Sequence, residues 1–310
     1  MAGRATNATE VSDNRSWVSI HSLLTPDSGA AVAILGAPLA KESITPGRCD
    51  LAPDVVRNAL KRLSVYDVES GIDLSALNLF DAGNLPIVER DPRAAFEPVA
   101  AGVRQLLTNR SLTIVLGGNN AVTRPGVHGV DSALKHVGLL TLDAHFDLRD
   151  TDGGLNNGNP VQALLEDGLP GAHISQIGIA PFANTRKAHN KAKAAGISVR
   201  TLAECFARGF GAVVSEELTR LAGICTHIYV DFDIDVIDRA QMPAAPGARA
   251  GGIAVRDFFS ATRMIAQHPK VNCVDLTEFD PSLDTDAIGA LTAARWLAEL
   301  LAGLTLRPSA

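Results

Sequence analysis

The chain reads as an α/β protein, a central and mostly parallel β-sheet with helices packed on both faces. Three observations predict this. Short apolar runs of strand length alternate with helix-length amphipathic segments along the chain. The 310 residues, 46% of them hydrophobic, suffice for one large core. The most chemically loaded residues cluster just beyond apolar runs, where open α/β sheets place their sites.

The elements follow in order. Residues 1–15, rich in Ala, Thr, Asn and Ser, are expected to form a flexible arm, leaving 16–310 as a single catalytic domain. Ala30 to Leu35 reads as the first strand. Pro53 opens a helix from Ala52 to Tyr66, with Val55, Val56, Leu60 and Leu63 near helical spacing. Leu77 to Phe80 is a short strand, Ala94 to Leu107 a helix, and Leu112 to Leu116 a strand ending in Gly117-Gly118. Val137 to Leu142 is a buried strand, Val161 to Glu166 starts a helix, and Ile174 to Ile179 is a strand. Thr185 to Ala195 is a charged helix, Val199 begins a strand region, and Glu216 to Leu221 belongs to a helix. Thr226 to Val230 is a strand, Val255 to Gln267 a helix, Val271 to Val274 a strand, and Asp286 to Leu301 the last helix. No internal repeat or low-complexity linker interrupts the alternation.

Composition excludes several classes. Net charge is −6 with no basic block, which argues against a nucleic-acid partner. No run reaches membrane-spanning length and the first twenty residues hold no apolar signal core, so a cytoplasmic protein with no membrane partner is expected. The four cysteines, Cys49, Cys205, Cys225 and Cys273, form no CxxC pair, which gives no support to a zinc ribbon or redox motif.

Two acid clusters carry the chemistry. Asp143-Ala-His145-Phe-Asp147 follows the Val137–Leu142 run, and residues two apart in extended chain share a face. Two carboxylates and an imidazole in apolar surroundings call for a cation. Asp231-Phe-Asp233-Ile-Asp235-Val-Ile-Asp238 places four aspartates within eight residues at another strand end. A solvated acidic loop is the alternative for that run, but Phe232, Ile234, Val236 and Ile237 make it a poor loop. Together, Asp143, His145, Asp147, Asp233 and Asp235 could hold two divalent ions. Carboxylate-rich, thiolate-free ligation suits Mn²⁺ over Zn²⁺, with Ni²⁺, Co²⁺ and Fe²⁺ as alternatives. Two ions sharing a hydroxide would hydrolyse a small molecule at electrophilic carbon or phosphorus.

These motifs resemble those of the ureohydrolase (arginase, agmatinase and formimidoylglutamase) superfamily. Asp143-Ala-His145-Phe-Asp147 is similar to its DAHxD motif and Phe232-Asp233-Ile-Asp235-Val-Ile-Asp238 to its FDxDxxD motif. Gly117-Gly118-Asn119-Asn120 stands where the family has GGDH or GGGH, and Glu278-Phe-Asp280-Pro281-Ser-Leu-Asp284 resembles ExxPxxD. The four motifs occur in order over roughly residues 30–300. The text around Asp143–Arg149, Asn157–Pro160 and Ile177–Asn184 is most like formimidoylglutamases. The resemblance implies a three-layer arginase–deacetylase fold with an eight-stranded sheet. It implies hydrolysis of N-formimidoyl-L-glutamate to L-glutamate and formamide, two Mn²⁺ per chain, and a homo-oligomer, a trimer or hexamer. A guanidino hydrolase releasing urea, or a catalytically weakened metal-binding relative, are the alternatives.

Carried over by position, Asp143 and Asp233 would bridge the metals. His145 and Asp235 would complete one site and Asp147 the other, Asp147 also passing a proton to the departing nitrogen. Glu278 would accept the N–H groups of the substrate's amidine, a bond a carboxylate is suited to make. Asn120 stands where the family places a histidine. It is either a weak ligand, making one metal position weak, or only a turn residue. Asn157 lies where arginases carry a proton-shuttle histidine, and is grouped here with the substrate-binding residues. Arg149, two residues beyond Asp147, could meet a substrate carboxylate, whereas Arg186 and Arg249 read as surface residues. Asp231 and Asp238 read as supporting acids, and Asp275 is expected to contact backbone.

Overall fold

The computed structural model describes residues 17–308; the expected arm over residues 1–15 lies outside them. Nine strands form one sheet: β1 (Leu24–Thr25), β2 (Val32–Ala37), β3 (Leu79–Asn84), β4 (Leu112–Gly117), β5 (Val137–Leu142), β6 (Ile174–Ile179), β7 (Ser198–Thr201), β8 (His227–Asp233) and β9 (Val271–Thr277). The order is β1-β3-β2-β4-β9-β8-β5-β6-β7, and every pairing is parallel. Eight of these strands are those anticipated; the ninth, β1, is a two-residue edge pairing too short to show a pattern.

The helices are α1 (Ala52–Ala59), α2 (Pro92–Leu107), α3 (Thr123–Val130), α4 (Pro160–Asp167), α5 (Arg186–Ala195), α6 (Leu202–Arg208), α7 (Phe210–Ile224), α8 (Val255–Ala266) and α9 (Ile288–Thr305). One core layer takes apolar residues of α1 and α6 to α9; the other takes those of α2 to α5. β5 feeds both, sending Val137 and Leu139 one way and Leu140 and Leu142 the other. A strand buried on both faces must be largely apolar at both parities, as β2, β4 and β5 are. Among the described residues no helix is long and apolar enough to cross a membrane.

Three elements differ from the sequence reading. The helix at Ala52 stops at Ala59 and tightens into a 3₁₀ turn over Leu60–Arg62. The following residues are drawn into extended pairing, with Ile20 N donating to Leu63 O and Val65 N to Val18 O. α3 gave no sequence signal because Gly126 and Gly129 weaken its propensity. Their absent side chains serve packing: a Cβ on Gly126 would sit 2.2 Å from Tyr229 Oη, and one on Gly129 would sit 2.6 Å from Val103 Cβ. α6, seven residues long, went unread because it runs into α7 across Gly209 alone.

The strand order positions the site. The chain passes from β4 to β5 and returns later to fill the gap between them with β9 and β8. The carboxyl ends of β4, β9, β8 and β5 therefore lie side by side, a topological switch point. Gly118 is the hinge out of β4: a Cβ there would lie 2.0 Å from Leu39 O. Gly118→Ala is expected to cost about 1–3 kcal/mol through overpacking against that backbone. A thermal or urea melt indistinguishable from wild type would contradict this.

Candidate metal and catalytic site

Four strand ends supply the site. After β5, Asp143 is buried, and its Oδ1 accepts from His145 N at 2.6 Å, which bends the chain out of the sheet. His145 Nδ1 then lies 2.9 Å from Asp235 Oδ2 and 3.5 Å from Asp143 Oδ1. These three residues offer ligand atoms all within 4.8 Å of one another. After β8, Asp233 Oδ1 accepts from Asp235 N at 2.9 Å, and Asp235 Oδ1 accepts from Ala144 N at 3.2 Å. Asp235 thus ties the two acid motifs together, holding the backbone of Ala144 and the imidazole of His145.

Asp147 and Glu278 share a backbone feature. Both sit in the left-handed region, with φ of 51° and 61°, where side chains other than glycine are strained. Asn120 lies between them. Its Nδ2 donates to Asp147 Oδ2 at 2.6 Å, and its backbone N donates to Glu278 Oε1 at 2.7 Å. Asn157 Nδ2 also donates to Glu278 Oε1, at 3.0 Å, while Asn157 Oδ1 accepts from Ile44 N at 2.8 Å.

These groups meet at a cavity of about 610 Å³ whose wall includes His145, Asp147, Asp233, Asp235, Asn157 and Glu278. Arg149 and Arg249 are exposed and line it too, whereas Arg186 lines a separate groove beside α6. Asp143 and Asn120 lie behind the wall, with exposures near 1%.

Burial governs the charges. It raises the Asp143 carboxyl to about 7, with Asp235 adding to the effect. Burial also raises Asp147 and Asp233 well above the usual range, helped by Asp143 and Asp235 respectively. Glu278 is lifted to about 7 by burial, although Asn157 and Asn120 donate to it. Burial opposes a charge on His145, but Asp235 and Asp143 outweigh it and raise the imidazole to about 11. Asp235 would be raised by burial, yet His145 holds it low.

A supporting layer lies beneath. Asp275, expected to contact backbone, lies beside the Phe232 backbone N–H, and its Oδ2 also accepts from Tyr229 Oη at 2.7 Å and Thr123 Oγ1 at 2.9 Å. The alternation of β9 turns it inward onto buried side chains rather than along the chain edge. Asp231 pairs with Asp275 across β8 and β9; neither it nor Asp147 and Asp233 belongs to the close group of Asp143, His145 and Asp235. Asp238 accepts from Ala240 N and Gly251 N, at 2.8 and 2.6 Å, and so holds the loop over the site. Sequence reasoning assigned no role to Asn184. Its Oδ1 accepts from Phe146 N at 2.9 Å and its Nδ2 donates to Ala144 O at 2.8 Å, bracketing His145. Nor does the sequence give Gly247 a role: a Cβ there would lie 2.0 Å from Asp235 Oδ2. Neither role has a local sequence signal, because each is a contact between distant segments.

With this geometry in place, comparison with known proteins is decisive at family level. The model of the arginase family matches residues 30–303. The chain belongs to the arginase family. A formimidoylglutamase of Halalkalibacterium halodurans is 33% identical over 278 residues, covering 88% of this chain and 87% of that protein. One from Bacillus subtilis (strain 168) is 30% identical over 280 residues, covering 89% and 88%. The solved formimidoylglutamase from Bacillus subtilis subsp. subtilis str. 168 superposes with a TM-score of 0.91 at 28% identity, covering 98% of this chain and 97% of that one. A Trypanosoma cruzi formiminoglutamase solved with Mn²⁺₂ has a TM-score of 0.83 at 22% identity, covering 90% and 95%, which speaks to the fold.

The donor set of this arginase-family site fits divalent cations. Asp143 Oδ2 is buried and has no hydrogen-bond partner among the described residues. Oxygen donors with one imidazole match hard to borderline ions. A pH prediction follows for the chelator-treated protein. Asp143 and Glu278 have folded pKa values near 7, above the unfolded carboxylate values, so the stability they contribute is present below about pH 4 and lost as pH rises through 7. Asp67, Asp150, Asp167 and Glu217 titrate near 2 and add no slope above about pH 5. Melting temperature without divalent ions should fall between pH 5 and 8, and Mn²⁺ should raise it more at pH 8. A flat profile would remove the electrostatic account.

Proposed function

We propose that this chain hydrolyses N-formimidoyl-L-glutamate to L-glutamate and formamide. The observation that carries the reading is the polarity of the cavity. Its floor is made of Asp147, Asp233, Asp235 and Glu278, and its wall carries Arg149. An amidine cation with carboxylates at its far end matches both ends at once. Agmatine, cationic at both ends, would bring a charge of the wrong sign to Arg149. The formimidoylglutamase relatives support the same substrate.

Asp143, His145, Asp147, Asp233 and Asp235 would hold two divalent cations, Asp143 and Asp233 serving both; Asn120 Oδ1, the atom that would be a neutral and weaker donor, here accepts from Thr123 Oγ1 at 2.6 Å, so it would join them only with its carboxamide turned over. Mn²⁺ is the ion this donor set favours, as in the Trypanosoma cruzi protein of the same fold. When bound, such ions acidify water enough to supply a nucleophile near neutral pH.

The chain's own groups do the rest. Glu278 Oε1 is occupied by Asn120 and Asn157, and among the described residues no donor reaches Oε2, which is left to accept the amidine N–H groups. Asn157 has both ends of its carboxamide engaged, so it serves the substrate by placing Glu278. Asp147, held by Asn120, hands a proton to the amine nitrogen as its bond to the amidine carbon breaks. Water's oxygen ends in formamide, and glutamate leaves as the amine.

Protein reconstituted with Mn²⁺ should release glutamate and formamide; urea from agmatine or a guanidino acid instead would replace this reading. Asp233→Ala should lower kcat/KM at least about 1000-fold, because one carboxylate serves both ions. Near-wild-type turnover in that variant would end the two-ion proposal. Asn120→His should tighten Mn²⁺ binding at the weaker position about tenfold or more, read by metal titration. An unchanged titration would place residue 120 outside the metal's reach.

A further inference from the structure

The cavity wall carries more positive charge than one carboxylate needs. Arg149, Lys187 and Arg249 all line it, together with Asp150. Arg249 turns Nη1 onto its own loop, donating to Gly247 O at 2.5 Å. Asp150 is the counterion of two lysines. Lys191 places its ammonium on Asp150 Oδ1 at 2.9 Å, Leu148 O at 3.0 Å and Gln162 Oε1 at 2.8 Å, which uses all three protons. Lys187 has Asp150 Oδ2 as its only partner among the described residues, and its side chain is 67% exposed. Two of its ammonium protons are therefore free at the wall. Two ammonium groups share the one carboxylate of Asp150, so the cluster keeps a net positive charge, and only Lys187 has protons free to direct it.

We propose that Lys187 is a specificity-determining residue that takes the substrate carboxylate farther from the reacting nitrogen, while Arg149 takes the nearer one. The assignment rests on the formimidoylglutamase reading. Arg149 stands two residues beyond Asp147 on the same loop, close to the chemistry. Lys187 stands in the first turn of α5, on a different element of the wall. One planar guanidinium holds one carboxylate in bidentate fashion, so a second carboxylate needs a second cation. A flexible lysine stem suits a distal carboxylate whose position varies with side-chain rotamer.

The test compares the full-length Mn²⁺-loaded protein with Lys187→Met, Lys187→Arg and Arg186→Met. Arg186 is an exposed neighbour of the same charge that faces away from the cavity. The substrates are N-formimidoyl-L-glutamate and its γ-amide, N-formimidoyl-L-glutamine; calorimetric binding of L-glutamate and L-glutamine gives a readout without turnover. Lys187→Met should raise KM for the dicarboxylate, and Kd for L-glutamate, about fivefold, with a smaller change in kcat. Values for the γ-amide and L-glutamine should move less than about twofold, Lys187→Arg should restore the dicarboxylate preference, and Arg186→Met should change neither. Equal weakening of both compounds, or no weakening, overturns the assignment. If wild type releases no formamide, the functional reading fails, and the L-glutamate against L-glutamine comparison still decides the role of Lys187.

Discussion

Everything in this protein is arranged around acids that cannot all be ionised where they stand. Asp143, Asp147, Asp233, Asp235 and Glu278 are each less than a tenth exposed and converge from three neighbouring strand ends. Two like charges about 4 Å apart cost roughly 4 kcal/mol at an effective dielectric near 20. Several such pairs rival the ~5–15 kcal/mol by which a domain is stable. Without cations the charge must be relieved by protons, and the upward shifts of Asp143, Asp147, Asp233 and Glu278 are that relief. Among the described residues His145 is the one cation within, and it pairs directly with Asp235 and Asp143. Divalent ions would replace the protons with fixed positive charge, turning an electrostatic liability into ligation.

The scaffold has to hold these groups against their own repulsion, and it does so by tying loops from different strands together. Asn120, after β4, bonds both Asp147, after β5, and Glu278, after β9. Asn157 carries the chain of bonds on to Ile44, after β2. The left-handed backbone at Asp147 and Glu278 shows that these two acids are set by their surroundings rather than by local preference. Beneath them, Tyr229, Thr123, Asp231 and Asp275 form a polar layer inside an otherwise apolar sheet. A buried polar layer of that kind is tolerable only when its members satisfy each other.

How much of this was legible depends on whether the cause was local. The acid stretches after β5 and β8 were readable as a cluster because period-two spacing and apolar neighbours are written in consecutive residues. The parallel sheet was readable because doubly buried strands such as β2 and β5 are written as short continuous apolar runs. The Asn184 clamp, the Gly247 approach to Asp235 and the inward turn of Asp275 were not, since each joins segments far apart in sequence. α3 was hidden by Gly126 and Gly129, which lower helix propensity while allowing Tyr229 and Val103 to approach. Lys187 read as one charge of a solvated helix, and only the saturation of Lys191 by Leu148, Asp150 and Gln162 sets it apart.

Floor and rim then divide the work by their exposure to water. The floor is buried, so its electrostatics act at short range and are little screened by salt. Arg149 and Lys187 sit at the solvent-facing wall, where single ion pairs contribute about 0–1 kcal/mol each and weaken with ionic strength. Such a rim can hardly accelerate bond breaking, but it separates substrates by sign. A tail bearing carboxylates gains from both cations, and a tail bearing an ammonium loses to both, so the difference between them is about twice either effect. Discrimination can therefore be substantial even where each contact is weak. On the proposed reading, the same fold could accept a different tail by changing wall residues that touch neither the ions nor Glu278, with substrate choice in the loop after β5 and the first turn of α5 and the chemistry at the strand ends.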